Sequence, residues 1–288
     1  MVERRTWHYQ LVDGLIYLAL LLVALAMLFP FVYVFAVSFS TLEDVLRGGV
    51  ILWPRVWSTA AYEFVLASPM ILRSLGNSIF LATAGTLVSL AFTASMAYAL
   101  ASKHLKFRRF FLVLVLIPFL FWPGIIPRFL IVKATGLLNS IWSLILPSAI
   151  DPFNLIVMRN FFMEIPDELI ESAELDGATD LQVLWHIVLP LSKPVLAAIG
   201  LFYAVARWNL YFAAILYISD GSKWPIQVIL RQLVIMGESD YLGDVDVMLP
   251  PFTVQMATVI VATVPIIILY PFLQRYFVKG VLTGAIKG

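Results

Sequence analysis

The residues whose spacing indicates a chemical role lie in a polar stretch between two apolar segments, from Ile165 to Pro190. Asp167, Glu171 and Glu174 recur at i, i+4 and i+7 and therefore form one acidic face of a helix. Composition alone would fit an amphipathic loop on the bilayer surface, but membrane-surface helices usually carry Lys and Arg on their polar face. The acidic face therefore favours a protein partner.

The same stretch has the signals of two short helices joined by a glycine. Gly177 suits the left-handed conformation that ends a helix. Thr179 and Gln182 match a capping box that starts a second helix. Ile170 and Ala173 contribute to a small apolar edge on the first helix. A short, well-capped helix pair with one apolar edge is typical of a segment that docks into a groove of a partner.

Arg207 is a cation within an apolar segment. A charge at the centre of a membrane span costs roughly 2.5–3.5 kcal/mol on insertion scales and is by default a functional candidate. Aromatic rings stack on sugars, while Arg and Asn bind hydroxyls or carboxylates. We therefore predict that a solute pathway is lined by Arg207 with Tyr203, Trp208, Asn209, Tyr211, Asn154 and Asn77.

Alternatives exist for these polar residues. Arg207 could instead pair with Asp151, because helical rise places Asp151 about 15 Å and Arg207 about 20 Å from the inner side of the membrane. In a regular helix Arg207 and Asn209 lie about 200° apart, so both can line one pathway only if the helix is distorted. Asn77 and Asn154 are weaker candidates, because polar residues in membrane helices more often bond neighbouring helices.

The sequence excludes several classes of chemistry. The chain has no cysteine, which rules out disulfides, thiolate metal sites and cysteine nucleophiles. His8, His104 and His186 lie outside the apolar segments and form no spaced pair, so we expect no metal site. There is no phosphate-cradling G-x-x-x-x-G-K-[ST] loop, so the chain is not expected to hydrolyse ATP. A net charge of +1 gives no indication of nucleic-acid binding.

The polar stretch resembles the EAA loop of ABC importer permeases, whose pattern is Glu-Ala-Ala-x3-Gly-x9-Ile-x-Leu-Pro. The matching positions are Glu171, Ser172, Ala173, Gly177, Ile187, Leu189 and Pro190. Ser172 replaces the middle alanine and is the only departure. The resemblance implies that the loop 163–190, with Asp176 and Ala178 beside its glycine, is a coupling helix. Such a helix sits in a cleft on a separate ATPase subunit and transmits nucleotide-driven closure to the spans.

Other motifs resemble the carbohydrate-uptake branch of this family, in particular its maltose permease subunit. They are Phe29-Pro30 with Ser38-Phe39, Asn154 with Arg159-Asn160-Phe161-Phe162, Trp208-Asn209, and the C-terminal Leu282-Thr283-Gly284-Ala285-Ile286-Lys287-Gly288. The resemblance implies a carbohydrate cargo, in particular an oligosaccharide. It also implies a second permease subunit, two ATPase subunits that hold ATP and Mg, and an extracytoplasmic solute-binding protein, with no cofactor on this chain. An acidic sugar is favoured if Arg207 lines the pathway, because a carboxylate pairs with Arg bidentately.

Six apolar segments must position these residues, and each is longer than the length of about 20 residues that a membrane span needs. They cover residues 14–39, 75–101, 110–131, 137–160, 193–217 and 247–274, and the fourth is interrupted at Asp151-Pro152. The chain of 288 residues is 61% hydrophobic and only 13% charged, which is too little charge to cover a soluble domain. We therefore predict an all-α membrane protein with six transmembrane helices in one domain, 1–288. The resemblance implies the type I ABC importer permease fold.

The loop between the second and third spans sets the predicted orientation. Lys103, Lys106, Arg108 and Arg109 place four cations in seven residues, and such clusters mark the cytoplasmic side. Both termini then lie in the cytoplasm, and the first span is retained rather than cleaved as a signal peptide. The resemblance implies the cytoplasmic (inner) membrane of a bacterium or archaeon.

Other functions compete with carbohydrate import. Permeases for amino acids, phosphate and peptides share the EAA loop, so the loop alone does not select a sugar. A secondary transporter would need inverted repeats and ion-coupling carboxylates inside the membrane, and we find one such acid and no repeat. An intramembrane enzyme would need a nucleophile with a base at membrane depth, and no histidine lies there.

Overall fold

The chain folds into helices with a largely apolar surface. The computed structural model describes residues 7–236 and 252–268, and these contain no β-strand. The helices are α1 (Trp7–Ser38), α2 (Leu42–Leu46), α3 (Ala60–Ala67), α4 (Pro69–Ala101), α5 (Arg108–Leu120), α6 (Ile125–Ala134), α7 (Pro152–Phe162), α8 (Asp167–Leu175), α9 (Asp180–Val183), α10 (Leu189–Leu191), α11 (Lys193–Trp208), α12 (Phe212–Tyr217), α13 (Ile226–Arg231) and α14 (Phe252–Ile268). Short 3-10 turns cover Ile141–Leu144, Leu146–Ser148 and Gly221–Lys223, and π-helical turns cover Leu184–Val188 and Gln232–Met236.

Two of the described helices are long and apolar enough to cross a bilayer unaided. The apolar part of α1, Leu11–Ser38, has a mean hydropathy of 2.8, and none of its most apolar window is buried. Helix α4 is 33 residues long with a mean hydropathy of 1.7. An apolar surface of this length is unstable in water, so lipid or a partner helix must cover it.

The predicted third, fourth and fifth spans are broken helices. Residues 121–124 separate α5 from α6, within the third span. In the fourth, Ile141–Ser148 and α7 meet at a bend of 50° beside the predicted interruption. In the fifth, where we expected one helix over 193–217, α11 stops at Trp208 and α12 begins at Phe212.

Counted by length and composition, the described residues offer two spans, or up to four if each bent helix pair is one span. The second such pair joins Asp180–Leu191 to α11 at a bend of 86°. The shorter α14 lies within the predicted sixth span. The remainder of that span and the C-terminal motif at 282–288 lie outside the described residues. The division into six spans therefore stays a prediction.

The chain divides into two compact units, Met1–Pro69 with Gln232–Thr263 and Met70–Arg231 with Val264–Gly288. In the first unit, the end of α1 is held by an aromatic cluster. The ring of Phe39 lies 4.6 Å from that of Tyr62 and 5.4 Å from that of Trp57, measured between centroids. The hydroxyls of Ser38 and Tyr62 are 2.7 Å apart and hydrogen-bonded. These contacts fix the chain where it leaves the apolar helix.

The second unit has an apolar core that joins the spans to the loop 163–190. Its buried side chains include Ala97 of α4, Val115 of α5, Met158 of α7, Val183 of α9 and Ile199 of α11. Burial of a side chain such as Ile or Met contributes about 1.5–3 kcal/mol. The loop is therefore held by the same packing that holds the helices on either side of it.

One face of α4 carries small and hydroxyl-bearing residues, including Ser78, Gly85, Ser89 and Thr93, and the three hydroxyl-bearing residues are buried. The Ser78 hydroxyl accepts a hydrogen bond of 2.8 Å from the backbone N–H of Ile226. Small residues let helices approach closely in a membrane, and hydroxyls bond across the interface. This face of α4 is the one against which the candidate pathway residues pack.

Candidate functional site

The glycine of the coupling loop ends its first helix with a complete Schellman motif. The Gly177 N–H donates to the carbonyl of Glu174 at 3.0 Å, and the Ala178 N–H donates to the carbonyl of Ala173 at 2.9 Å. Gly177 has φ +83°, in the left-handed region that favours glycine. No atom lies within 4 Å of a Cβ built at this position. The turn therefore requires glycine because of its left-handed backbone conformation. A larger side chain would have room at this position.

The second helix of the loop begins with a full capping box. The Gln182 Oε1 accepts the backbone N–H of Thr179 at 2.8 Å, and the Thr179 side chain accepts the backbone N–H of Gln182. Helix α9 then passes into the π-helical turn Leu184–Val188, which ends before Pro190. π-helical turns occur frequently at functional sites.

The outward surface of the coupling loop combines acids with exposed apolar side chains. Asp167, Glu171 and Glu174 are all exposed. Beside them Leu175, Leu181 and Trp185 are 89%, 63% and 62% exposed. Exposed apolar residues rimmed by charge mark a surface that binds a protein or a membrane.

Two residues of the apolar edge of α8 pack inward. Ile170 and Ala173 lie against the chain's own core, together with Ala178, Ile187 and Leu189. Leu169, the third member of this apolar edge, is 46% exposed. Ile170 and Ala173 are therefore not part of a surface that enters a partner's groove, and docking through Leu169 stays a prediction. The core behind the loop draws Ile170 and Ala173 inward, because burying apolar area in the same chain is favourable.

The remaining predicted coupling residues shape the turn of the loop. A depression of about 350 Å³ is lined by Asp176, Gly177, Ala178, Gln182, Val183, His186 and Ile187. The Ser172 hydroxyl donates to the carbonyl of Glu168 at 2.7 Å and so stays within its own helix. Pro190 is exposed at the end of the loop. The role of these residues in coupling stays a prediction.

The basic loop after α4 is tied to the coupling loop. Lys103 forms an ion pair with Asp167 in which its ammonium group donates a hydrogen bond to the carboxylate. This hydrogen bond raises the pKa of Lys103. The carbonyl of Leu100 accepts hydrogen bonds from the guanidinium groups of both Arg108, at 3.0 Å, and Arg159, at 3.1 Å. The basic loop and the coupling loop therefore lie on the same side of the membrane.

Arg207 binds the backbone of the broken fourth span. Its guanidinium donates to the carbonyls of Leu144, Ile145 (3.1 Å) and Ser148 (2.9 Å), and to the hydroxyls of Ser148 (2.9 Å) and Ser89 (3.0 Å). The residue is only 3% exposed. These carbonyls belong to the 3-10 turns that precede the helix break, where the backbone lacks helical partners. Arg207 therefore donates hydrogen bonds to carbonyls that the break would otherwise leave without a donor.

Asp151 does not pair with Arg207 among the ion pairs of the described residues. Its carboxylate caps α7 instead, accepting the Asn154 N–H at 3.0 Å, and its backbone N–H donates to the Tyr203 hydroxyl at 3.0 Å. The Tyr203 hydroxyl is also hydrogen-bonded to that of Thr93 at 2.7 Å. The acid thus organises the start of α7, and the charge of Arg207 is balanced by carbonyl dipoles.

Most of the other predicted pathway residues also have side chains that are buried in the protein or hydrogen-bonded to it. Trp208, Tyr203 and Asn154 are buried. The Asn77 amide donates to the carbonyls of Ser222 at 3.0 Å and Trp224 at 3.1 Å, and so holds a loop of the second unit. Their predicted contact with cargo stays untested, but the polar groups of Asn77, Tyr203 and Arg207 are already occupied by the chain itself.

Two of the predicted pathway residues lie at the surface of the break in the fifth span. Asn209 is exposed, and Tyr211 is half-buried. The guanidinium carbon of Arg231 lies 4.4 Å from the centre of the Tyr211 ring. This contact was not predicted, because the sequence carries no signal that α13 returns to the break. Arg207 and Asn209, as helical geometry required, do not face the same way.

No group of three or more His, Cys, Asp or Glu side chains in the described part of the chain is arranged to hold a metal ion.

Comparison with known proteins gives matches over nearly the whole chain. Residues 106–283 match the family described as binding-protein-dependent transport system inner membrane component. The polygalacturonan/rhamnogalacturonan transport system permease protein YtcP of Bacillus subtilis is 47% identical, over 97% of this chain and 99% of the relative. The trehalose/maltose transport system permease protein MalG of Thermococcus litoralis is 29% identical, over 95% of this chain and 96% of the relative.

A solved structure is similar as well. A chain in the crystal structure of a bacterial ABC transporter involved in the import of the acidic polysaccharide alginate superposes with a TM-score of 0.86 at 35% identity. The match covers 92% of this chain and 96% of that chain. The similarity therefore includes the arrangement of the helices as well as the sequence.

Replacing Arg207 tests its structural role. Arg207→Gln should destabilise the folded protein in the membrane by at least about 2 kcal/mol, because the carbonyls of the break lose their donors at a site without water. Thermal unfolding of the purified complex, with Arg207→Lys as the matched variant that keeps the charge, measures the loss. The double change with Asp151→Asn should not restore stability; restoration would show that the two residues form a pair.

Proposed function

The chain belongs to the binding-protein-dependent transport system inner membrane components, a family of ABC importer permeases, and on that premise we propose that its cargo is an acidic oligosaccharide. The observation that carries the proposal is the chemistry named for its relatives. YtcP is named for polygalacturonan, a polymer of a uronic acid, at 47% identity. The structurally similar transporter imports alginate, an acidic polysaccharide.

The reason for proposing an acidic cargo differs from the one that the sequence suggested. From the sequence, we favoured an acidic sugar on the condition that Arg207 lines the pathway and binds a carboxylate. In the structure the guanidinium of Arg207 is bonded to Leu144, Ile145, Ser148 and Ser89 and is buried. The proposal therefore rests on the relatives, and recognition of a carboxylate falls to another residue.

We also propose that the coupling loop docks on a separate ATPase subunit. The docking surface consists of the exposed acids of α8 together with Leu175, Leu181 and Trp185. Two ATPase subunits, a second permease subunit and an extracytoplasmic solute-binding protein complete the importer, and ATP and Mg bind to the ATPase subunits. Closure of those subunits would push the loop, and the shared core would pass the movement to α7 and α11.

The orientation proposed from the basic loop has structural support. The ion pair between Lys103 and Asp167 keeps the loop after α4 beside the coupling loop, and a loop that meets a cytoplasmic ATPase must be cytoplasmic. The family description places the chain in the inner membrane. Both termini then lie in the cytoplasm if the chain crosses the membrane six times.

Gly177 offers a test of the coupling role. Gly177→Val should lower uptake at least about tenfold, because a β-branched residue in the left-handed region costs on the order of 1–2 kcal/mol and the turn must change shape. Membrane insertion and complex assembly should be unaffected, since no neighbour is crowded. Gly177→Asn is the matched control, because asparagine tolerates this conformation. Uptake by Gly177→Val equal to that of Gly177→Asn would remove the coupling assignment.

The proposed cargo can be tested with the reconstituted importer. Proteoliposomes that contain the complete complex, with its solute-binding protein outside, should take up trigalacturonate and hydrolyse ATP faster in its presence. Maltotriose, a neutral sugar of the same length, should give less than about a tenth of that stimulation, because a site built for a charged group rejects the ligand that lacks it. Stimulation by maltotriose alone would refute the acidic cargo.

A further inference from the structure

At the break in the fifth span, non-helical backbone lies at the surface of the second unit. Helix α11 has 16 residues, which at a rise of about 1.5 Å per residue brings its end near the outer part of the membrane. Non-helical backbone at membrane depth is tolerated only where it is buried in protein or lines a water-filled cavity. Asn209 is exposed at this break. One side of the break, between Trp208 and Phe212, must therefore face a partner subunit or an aqueous space.

Arg231 lies beside this break, and no described residue forms an ion pair with it. Helix α13 is anchored by the buried side chains of Ile226, Val228 and Ile229, and Arg231 is its exposed last residue. Its guanidinium carbon sits 4.4 Å from the centre of the Tyr211 ring. Within residues 7–236 and 252–268, Arg231 has no carboxylate within ion-pair distance and no hydrogen-bond acceptor. The ring positions the cation, and the described part of the chain leaves its N–H groups available.

Arg231 differs from two other cations of the second unit, Arg207 and Lys223. Arg207 is buried, and its donors are taken by backbone carbonyls and hydroxyls. Lys223 is paired with Asp220 at 3.3 Å and also donates to the carbonyl of Asn139. An Arg stacked on an aromatic ring keeps a planar fork of donors, which matches the two oxygens of a carboxylate.

We propose that Arg231, held over Tyr211, binds a carboxylate of the acidic oligosaccharide as it passes the break in the fifth span. The proposal rests on the proposed function and identifies the residue that recognises the charge of the cargo. Tyr211 is a positioning residue, because its ring fixes the guanidinium. Exposed Asn209 gives the same surface a side-chain carbonyl that accepts a hydrogen bond from a sugar hydroxyl.

The test uses the complete importer in proteoliposomes, with the solute-binding protein loaded with trigalacturonate. Arg231→Gln should lower the rate of uptake at least about tenfold, the loss expected when a bidentate ion pair is removed. Basal ATPase activity and the affinity of the complex for the loaded binding protein should not change. Arg231→Lys keeps the charge but lacks the fork and should give an intermediate rate. Tyr211→Phe keeps the ring and should transport normally, whereas Tyr211→Leu should resemble Arg231→Lys.

The outcomes separate this proposal from its alternatives. Normal uptake by Arg231→Gln overturns it. A loss of uptake that follows a weaker affinity for the binding protein also overturns it, because Arg231 would then contact that protein and not the cargo. If Arg231→Gln does not assemble, Arg231→Lys decides, and transport at the wild-type rate counts against the proposal. If the wild-type importer does not take up trigalacturonate, the proposed function itself fails and this inference falls with it.

Discussion

The structure depends on how a helix can break inside a membrane without leaving its carbonyls unpaired. No water is available there to replace a lost hydrogen bond, so each break needs donors from the protein. Arg207 provides them for the fourth span, where its guanidinium reaches three carbonyls and two hydroxyls in the turns before α7. Gly85 makes room on α4, since a Cβ built there would lie 3.4 Å from the Arg207 side chain. A buried charge, costly alone, thus becomes the group that makes the bend stable.

The bend in turn fixes the helices on either side of the coupling loop. The Tyr203 hydroxyl of α11 joins Thr93 of α4 to the backbone of Asp151, and Asp151 caps α7. Beyond this bend, α7 and α11 share one core with the coupling loop. Packed cores do not deform continuously, so a displacement of the loop must move α7 and α11 as bodies. If the coupling loop docks on an ATPase subunit as proposed, this core gives ATP-driven closure a route to the break at 209–211.

Local features were predictable from the sequence, and features made by distant contacts were not. The capping box at Thr179 and the left-handed glycine at 177 depend on a few neighbouring residues, and both formed as expected. The all-helical permease fold and the resemblance to the carbohydrate-uptake branch, read from apolar length and the EAA spacing, are confirmed. Arg207 was interpreted as a cargo-binding candidate because a sequence displays a charge but not the carbonyls 59 to 63 residues away that bind it. Neither proline nor glycine marks the break at 209–211, and nothing local connects Arg231 with Tyr211.

The central claim is that the fifth span turns Arg207 into the protein and presents its break and Arg231 to the solute pathway. The chain has no cysteine, so single cysteines can be introduced without first removing native ones. The most direct measurement is labelling of Asn209→Cys, Arg231→Cys and Trp208→Cys in the assembled importer with a membrane-impermeant thiol reagent. The account predicts that the first two react, that loaded binding protein with trapped cargo protects them, and that the buried position 208 does not react. Labelling at 208 with none at 209 and 231 would contradict it.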